Sequence, residues 1–310
     1  MKMNILVTGA TGFIGGYLVR ELLERGEFKV YCLVRNSKKA KPLLDLGAEL
    51  IYGDITKFDS LEEILKLKID ILFHCAGFVE NRKRVLLHKT NVLGTENICK
   101  LAKELNTERM VYLSSVAVVS GNDCVPLHED LPYKANNIYG ESKIEAEKVV
   151  LNYRRKGLNV IIFRLPPVYG EAEPHLLKKI IYLLKLRMVP LINGGKNKLH
   201  LAYVRNVVQA ILFSLDDKRF LEGTFFVADS EVLTTKEFFT ILSKAVNVPS
   251  PRDIPKILSS FLYKLPFTRK KLGFFLKDRV YSTERIRNLG FRPPYPARES
   301  LTKAAEHFMH

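Results

Sequence analysis

The chain has 310 residues, with 49 Lys and Arg against 33 Asp and Glu, for a formal net charge of +16. With 47% hydrophobic and 26% charged residues it has the composition of a globular protein rather than of a disordered or fibrous one. No apolar run approaches the ~18 residues of a membrane span, and Cys32, Cys75, Cys99 and Cys124 form no CxxC pair, so free thiols in a reducing cytoplasm are expected, with no disulfide framework and no metal site.

The chain opens on "MNILVT", a short apolar run of the kind a strand buried on both faces requires. From Phe13 onward the apolar residues Phe13, Ile14, Tyr17, Leu18, Leu22 and Leu23 recur at helical spacing. Between strand and helix stand Gly9, Gly12 and Gly15. Glycine accepts the dihedrals of a tight turn and leaves room for a ligand at the first turn of the helix. That first turn offers unpaired N–H groups and a partial positive charge, which suits a pyrophosphate.

Further strands are expected at "FKVYCLV", "AELIYG", "IDILFHC", "RMVYLSS" and "NVIIFRL". They alternate with helical patterns at 13–26, 38–46, 58–67, 85–105 and 137–156. Such alternation predicts an α/β fold, a doubly wound parallel sheet with helices on both faces. Ligands of such sheets bind beyond the carboxyl ends of the strands. After residue 165 the rhythm changes: "RLPPVYGEAEP" and "INGGKNK" are loops, "YVRNVVQAILFSL" is a buried helical pattern, and "TFFVA" is a short strand. The organisation expected is a dinucleotide-binding domain over 1–165, to which 203–223 returns, and a smaller substrate lobe made of 166–202 and 224–310. In that lobe "IPKILSSFLYKLPF" and "LGFFL" are rich in aromatics; they read as lobe core, as the wall of an apolar substrate site, or as a lid touching a membrane surface. The basic residues are spread along the chain without aromatic interleaving, so most are read as solvated surface and no nucleic-acid partner is expected.

Three polar groups follow the later strands. Ser114 and Ser115 end "VYLSS"; Asn91 lies in "TNVLGTENI"; Tyr139 and Lys143 stand four apart in "NIYGESKIEAEK". On a helix, positions i and i+4 share a face. An ammonium beside a phenol favours phenolate and lowers a pKa that starts near ~10, so a tyrosine so placed can exchange a proton near neutral pH. A serine hydroxyl across the cleft can bond the same substrate oxygen.

In this order, "TGATGFIG", "GDIT", "HCAG", "TNVLGTENI", "YGESKIEAEK" and "RLPPVYG" resemble the motifs of the extended short-chain dehydrogenase/reductases, the NAD-dependent epimerase/dehydratase family. The resemblance implies a Rossmann-type fold and a nicotinamide cofactor. It implies that Gly9, Gly12 and Gly15 bind pyrophosphate, with Thr11, Phe13 and Ile14 beside them. Asp54 and Ile55 would meet the adenine, Ala76 and Gly77 would line the cofactor, and Asn91 and Ser114 would contact it. Ser115 would orient the substrate oxygen, Tyr139 would be the acid/base, and Lys143 would hold the nicotinamide ribose and lower the tyrosine pKa. Pro166, Pro167 and Val168 would lie near the nicotinamide ring.

No Asp or Glu occurs between Phe28 and Leu44, where a 2′-OH-binding acid stands in NAD sites of this design about 20 residues past the glycines. Arg35, Lys38 and Lys39 stand there instead, and a guanidinium pairs with a 2′-phosphate, so NADP(H) is favoured over NAD(H). Within the family, "NKLHLAYVRNVV" is more similar to 3β-hydroxysteroid dehydrogenases and dihydroflavonol-type reductases. Leu199 stands where nucleotide-sugar enzymes carry a diphosphate-gripping arginine. The reaction expected is therefore interconversion of a secondary alcohol and a ketone on an apolar skeleton, in a cytoplasmic homodimer. The alternatives are a nucleotide-sugar epimerase or dehydratase with tightly bound NAD, and a cofactor-binding scaffold without catalysis. In many relatives the helices at 85–105 and 137–156 form the dimer interface, and Val92, Ile98, Leu101, Ile144 and Val149 are its candidates here, although they also suit a sheet-facing stripe.

Overall fold

Seven strands hydrogen-bond side by side in one parallel sheet. This computed structural model describes residues 2–215, 217–221, 223–254 and 277–309. The strands are β1 (Met3–Thr8), β2 (Phe28–Val34), β3 (Glu49–Tyr52), β4 (Ile71–His74), β5 (Arg109–Ser115), β6 (Val160–Leu165) and β10 (Thr224–Phe226), in the spatial order β10-β6-β5-β4-β1-β2-β3. Each is a run of Val, Ile, Leu, Phe or Tyr, as burial of both faces demands. The strand order reverses direction between β1 and β4, which opens a crevice at their carboxyl ends.

Two apolar layers sandwich the sheet. On one face α1 (Phe13–Arg25), α2 (Ser37–Asp45) and α8 (Val204–Phe213) close over Val7, Cys32, Phe73, Val111 and Phe163. On the other, α5 (Gly94–Glu104) and α6 (Ile138–Arg155) cover Leu6, Leu72, Met110, Tyr112 and Ile162. Val111 and Tyr112 therefore face opposite layers, the alternation every strand imposes. A smaller body packs α7 (Leu177–Lys185), α9 (Thr235–Ala245) and the helix Ala297–Glu306 around two short strand pairs, β7 (Val168–Tyr169) with β9 (Ala202–Tyr203) and β8 (Lys198–Leu199) with β11 (Leu233–Thr234).

Four expectations meet differences. The pattern at 58–67 is a 3₁₀ turn, Phe58–Leu61, and one helical turn, Glu62–Leu65. The pattern at 85–105 is split into α4 (Arg84–Leu87), a π-helical turn at His88–Leu93, and α5; the wider turn carries the buried Asn91, whose polar side chain is used inside rather than in solvent. Residues 224–226, expected in the smaller lobe, extend the large sheet as β10, and Ile286 and Phe291 join the core beside α1 and α8. Ile98 and Leu101 are fully buried against the sheet, so that part of the apolar stripe proposed for a dimer interface is spent on the core. The aromatic stretches at 255–267 and 272–276 lie outside the described residues. Among the described residues, no helix is long and apolar enough to cross a membrane.

The joint between β1 and α1 tolerates no side chain. Gly9 has φ +70°, and a Cβ there would lie 2.6 Å from the Ala76 backbone nitrogen. A Cβ on Gly15 would lie 2.2 Å from the Gly9 carbonyl oxygen, so the first turn of α1 rests directly on the turn that feeds it. Gly15→Ala is expected to lose about 1–3 kcal/mol of unfolding free energy, the usual cost of overpacking against atoms that cannot retreat. Urea denaturation checks this; an unchanged midpoint would show that the joint can open.

Candidate active site

Parallel strands end on one side of the sheet, and the expected site residues gather there. Gly9 and Gly12 follow β1, Arg35 follows β2, Asp54 and Ile55 follow β3, Ala76 and Gly77 follow β4, Ser115 ends β5, and Pro166 and Val168 follow β6. Gly12 is the N-cap of α1 and offers no side-chain acceptor to the first helical amides. Those amides suit an anion. Thr11 and Gly12 are exposed, while Phe13 and Ile14 are half-buried and pack into the small lobe's core. Gly9 and Gly15 let the backbone around this helix start close up, and the start itself, capped by the exposed Gly12, fits the pyrophosphate of a dinucleotide.

At the end of β2 Arg35 is exposed. Asn36 caps α2, accepting from the amides of Lys38 and Lys39, so the helix start is already satisfied and both lysine side chains stay exposed. Burial pulls the Asp54 carboxyl upward, but bonds from Thr56 and the nearby Arg35 charge prevail and hold it below the ordinary carboxylate range. Ile55 is buried, with its carbonyl accepting from Asn97 Nδ2 at 2.7 Å.

Asn91 is 1% exposed and clamps the loop after β4. Its Oδ1 accepts from the Phe78 amide at 2.8 Å, and its Nδ2 donates to the Phe78 carbonyl at 2.9 Å and to Ser142 Oγ at 2.9 Å. It therefore fixes Gly77 and Phe78 against α6. A Cβ on Gly77 would come within 3.7 Å of Lys143 Nζ, so the lysine ammonium lies under the loop expected to line the cofactor.

The start of α6 is held from three sides. Asn137 accepts from the Gly140 amide at 2.8 Å, Asn81 accepts from the Tyr139 amide at 2.9 Å, and a Cβ on Gly140 would sit 2.8 Å from the Ala117 carbonyl. This close approach sets the Tyr139 phenol facing the Ser115 hydroxyl. Burial pushes the Tyr139 phenol above 10.0 and the Ser115 hydroxyl pulls it only part of the way back. The expected lowering by Lys143 is thus corrected: Lys143 Nζ donates to the Tyr112 hydroxyl at 3.2 Å and to the Leu113 carbonyl at 2.9 Å instead. Burial brings Lys143 itself down to about 8, against the opposing pull of Glu147.

The two serines of "VYLSS" separate. Ser115 accepts from the Ala117 amide and stays half-buried at the crevice. Ser114, expected to contact the cofactor, turns its side chain to the other face of the sheet and donates to Glu147. Glu147, which the sequence reading missed, is fully buried one turn beyond Lys143. It also accepts from Tyr133 Oη at 2.8 Å and from Arg164 Nε and Nη2 at 3.0 and 2.8 Å. Arg164 Nη1 donates to the Glu129 carbonyl, and Glu129 accepts from the Phe226 amide of β10. An acid at i+4 from Lys143 was the available signal, but its pattern is also that of a surface ion pair.

A glycine-built helix start, a serine facing a buried tyrosine, and a buried lysine on a doubly wound sheet are the parts of a nicotinamide-dependent oxidoreductase. The model of the NAD dependent epimerase/dehydratase family matches residues 5–228, and the chain belongs to that family. The chain is 30% identical to a 3-beta-hydroxysteroid dehydrogenase of Mycolicibacterium neoaurum, over 82% of this chain and 72% of that protein. It is 28% identical to the sterol-4-alpha-carboxylate 3-dehydrogenase erg26, decarboxylating, of Schizosaccharomyces pombe, over 98% and 97% of the two chains. In fold it is similar to the UDP-glucose 4-epimerase of Thermotoga maritima solved with UDP-glucose, with a TM-score of 0.81 at 21% identity over 99% of this chain and 98% of that one.

Glu147→Ala leaves the 5%-exposed Arg164 guanidinium buried without its carboxylate. The expected cost is about 3–5 kcal/mol, since removing one partner strands the other charge. Chemical denaturation measures it. A loss under 1 kcal/mol would show that water reaches the pair.

Proposed function

We propose that this protein interconverts a secondary alcohol and a ketone on an apolar skeleton, with NADP(H) as its preferred cofactor and Ser115, Tyr139 and Lys143 as its catalytic residues. The observation that carries the reading is the Ser115–Tyr139 hydroxyl pair at the carboxyl edge of the sheet, beside the buried Lys143. When bound, the nicotinamide ring supplies a hydride to the carbonyl carbon or accepts one from the carbinol carbon. Gly9, Gly12 and Gly15 would hold the pyrophosphate, Arg35 the adenosine 2′-phosphate, and Lys143 the ribose. Ala76, Gly77, Pro166 and Val168 would flank the dinucleotide along the strand ends.

The chain's own residues handle the proton. A phenol kept protonated near neutral pH by burial is set to donate to the ketone oxygen during reduction and to recover that proton during oxidation. Ser115 Oγ, which faces that phenol, orients the same oxygen. Lys143, one turn beyond Tyr139 along α6, keeps its amine on the Tyr112 hydroxyl and the Leu113 carbonyl. A bare cofactor-binding scaffold would require none of these three groups in one place.

A nucleotide-sugar epimerase is the second reading, and the fold likeness to a UDP-glucose 4-epimerase favours it. Against it stands Leu199, 1% exposed in the core of the small lobe, at the position where such enzymes carry a diphosphate-gripping cation. The two relatives named as 3-dehydrogenases of steroid and sterol substrates support the alcohol–ketone reading.

Tyr139→Phe is expected to lower turnover at least about 10²-fold, the usual loss for a general acid, with dinucleotide affinity unchanged. Steady-state rates over a ketone and sugar-nucleotide panel, with cofactor titration by fluorescence, check both; near wild-type turnover overturns the assignment of Tyr139. Arg35→Asp replaces attraction by repulsion at the 2′-phosphate. The ratio of NADPH to NADH affinity should fall by about ten- to a hundred-fold, the worth of one charge-assisted pair. Dissociation constants at fixed moderate salt measure it, and an unmoved ratio would mean that Arg35 is only solvated surface.

A further inference from the structure

A buried polar chain, none of it used by the proton chemistry above except its first member, runs from Lys143 across three strands. Lys143 Nζ donates to the Tyr112 hydroxyl at 3.2 Å. The Thr95 hydroxyl faces that phenol and pulls its pKa down, while burial holds it well above 10.0. Thr95 Oγ1 meets His74 Nε2 at 3.0 Å, and His74 Nδ1 meets Thr8 Oγ1 at 2.7 Å. The rings of His74 and Tyr112 stack at 5.5 Å. Thr8, His74 and Tyr112 are 0% exposed, Thr95 1% and Lys143 5%, so none can exchange its partner for water.

Donor and acceptor counting fixes the first bond of this chain: an ammonium has only donors, so the Tyr112 oxygen accepts from Lys143. Thr95 Oγ1 and Thr8 Oγ1 flank the two nitrogens of a neutral imidazole, one of which donates while the other accepts. The Thr8 oxygen accepts from the Ala76 amide at 3.4 Å, in the turn over the cofactor cradle. The arrangement requires a neutral imidazole. Burial, helped by the Lys143 charge, holds His74 down to about 3, which meets that requirement.

We infer that Tyr112 is a positioning residue for Lys143: its hydroxyl, oriented by Thr95 and His74, keeps the lysine an ammonium and holds it beneath Gly77 before a dinucleotide arrives. The catalytic meaning of this inference rests on the proposed role of Lys143; its physical content, the charge state of a buried amine, does not. Burial opposes the ammonium. Glu147 on α6 supports it, while burial pushes the Cys75 thiol beyond β4 up to about 12 and keeps it neutral. The remaining groups that face it, the Tyr139 phenol on α6 and His74 on β4, are neutral near pH 7. With so few supports, one oriented acceptor decides how far the amine stays charged as pH rises.

The test is carbon NMR of the full, cofactor-free chain labelled at lysine Cε, with the Lys143 signal assigned by its loss in Lys143→Arg. Tyr112→Phe keeps the ring and removes the acceptor. Its Lys143 titration midpoint should fall by about one pH unit, because one hydrogen bond to a charged group is lost from a set of two. Thr95→Val, which removes only the group that orients the phenol, should shift the midpoint in the same direction by less. The alkaline limb of kcat/KM for the dinucleotide should move by the same amounts, a readout that a purely structural role would leave in place. An unmoved or raised midpoint in Tyr112→Phe overturns the inference. Should that variant fail to give a wild-type circular dichroism spectrum, Thr95→Val decides by the same rule. The NMR result stands even if Tyr139→Phe keeps its turnover, so failure of the catalytic reading and failure of this one are separable.

Discussion

The position of the chemistry depends on one buried ion pair. Glu147 and Arg164 lie 0% and 5% exposed, on α6 and β6, and meet at 2.8 Å. Each ion alone would cost several kcal/mol to bury, so each makes the other obligatory. Their remaining valences are also used: Ser114 and Tyr133 on the carboxylate, and the Glu129 carbonyl on the guanidinium. The result is a fixed height and rotation for α6 over β5. Lys143, one turn before Glu147, and Tyr139, two turns before it, inherit that position. Hydrophobic packing of α6 against the sheet supplies most of the area, but it is tolerant of sliding by fractions of an ångström. A carboxylate with four donors is not.

The second constraint is steric. The sheet brings all carboxyl ends to one edge, but only the glycine joint lets backbone from β1, α1 and the loop after β4 approach each other closely enough to leave a cradle. Gly9 and Gly15 supply the missing volume there, and Gly140 supplies it at the start of α6. Cofactor side and acid–base side are then linked through the loop at Gly77 and Phe78, clamped by Asn91. Electrostatics follows from this packing rather than directing it: burial raises the phenol of Tyr139 and lowers the amine of Lys143. Both therefore titrate under the control of a few neighbouring hydrogen bonds.

Much of this was legible in the residues. The long apolar strands and the glycine spacing stand out because a buried parallel strand and a tight turn leave few alternatives. The π turn at His88–Leu93 was not legible, since the apolar period across 85–105 reads as one continuous helix and nothing local marks the extra residue. Strand β10 was missed as part of the sheet because three residues carry no periodicity, and its pairing with β6 is a long-range fact. Strand alternation alone sends Tyr112 and Ser114 to the face opposite Ser115, and that places Ser114 toward α6. Whether Lys143 turns to Tyr139 or to Tyr112 depends on burial and competing acceptors, which spacing does not encode.

The central claim is that the chain carries out net oxidoreduction at a carbonyl. NADPH carrying deuterium at both C4 positions of the nicotinamide ring tests it most directly when incubated with the enzyme together with a series of apolar ketones and of sugar nucleotides. The account predicts an alcohol product with deuterium on the carbinol carbon and an equal amount of oxidised dinucleotide. Full retention of the label in the dinucleotide, with a sugar nucleotide isomerised at the same time, would contradict it.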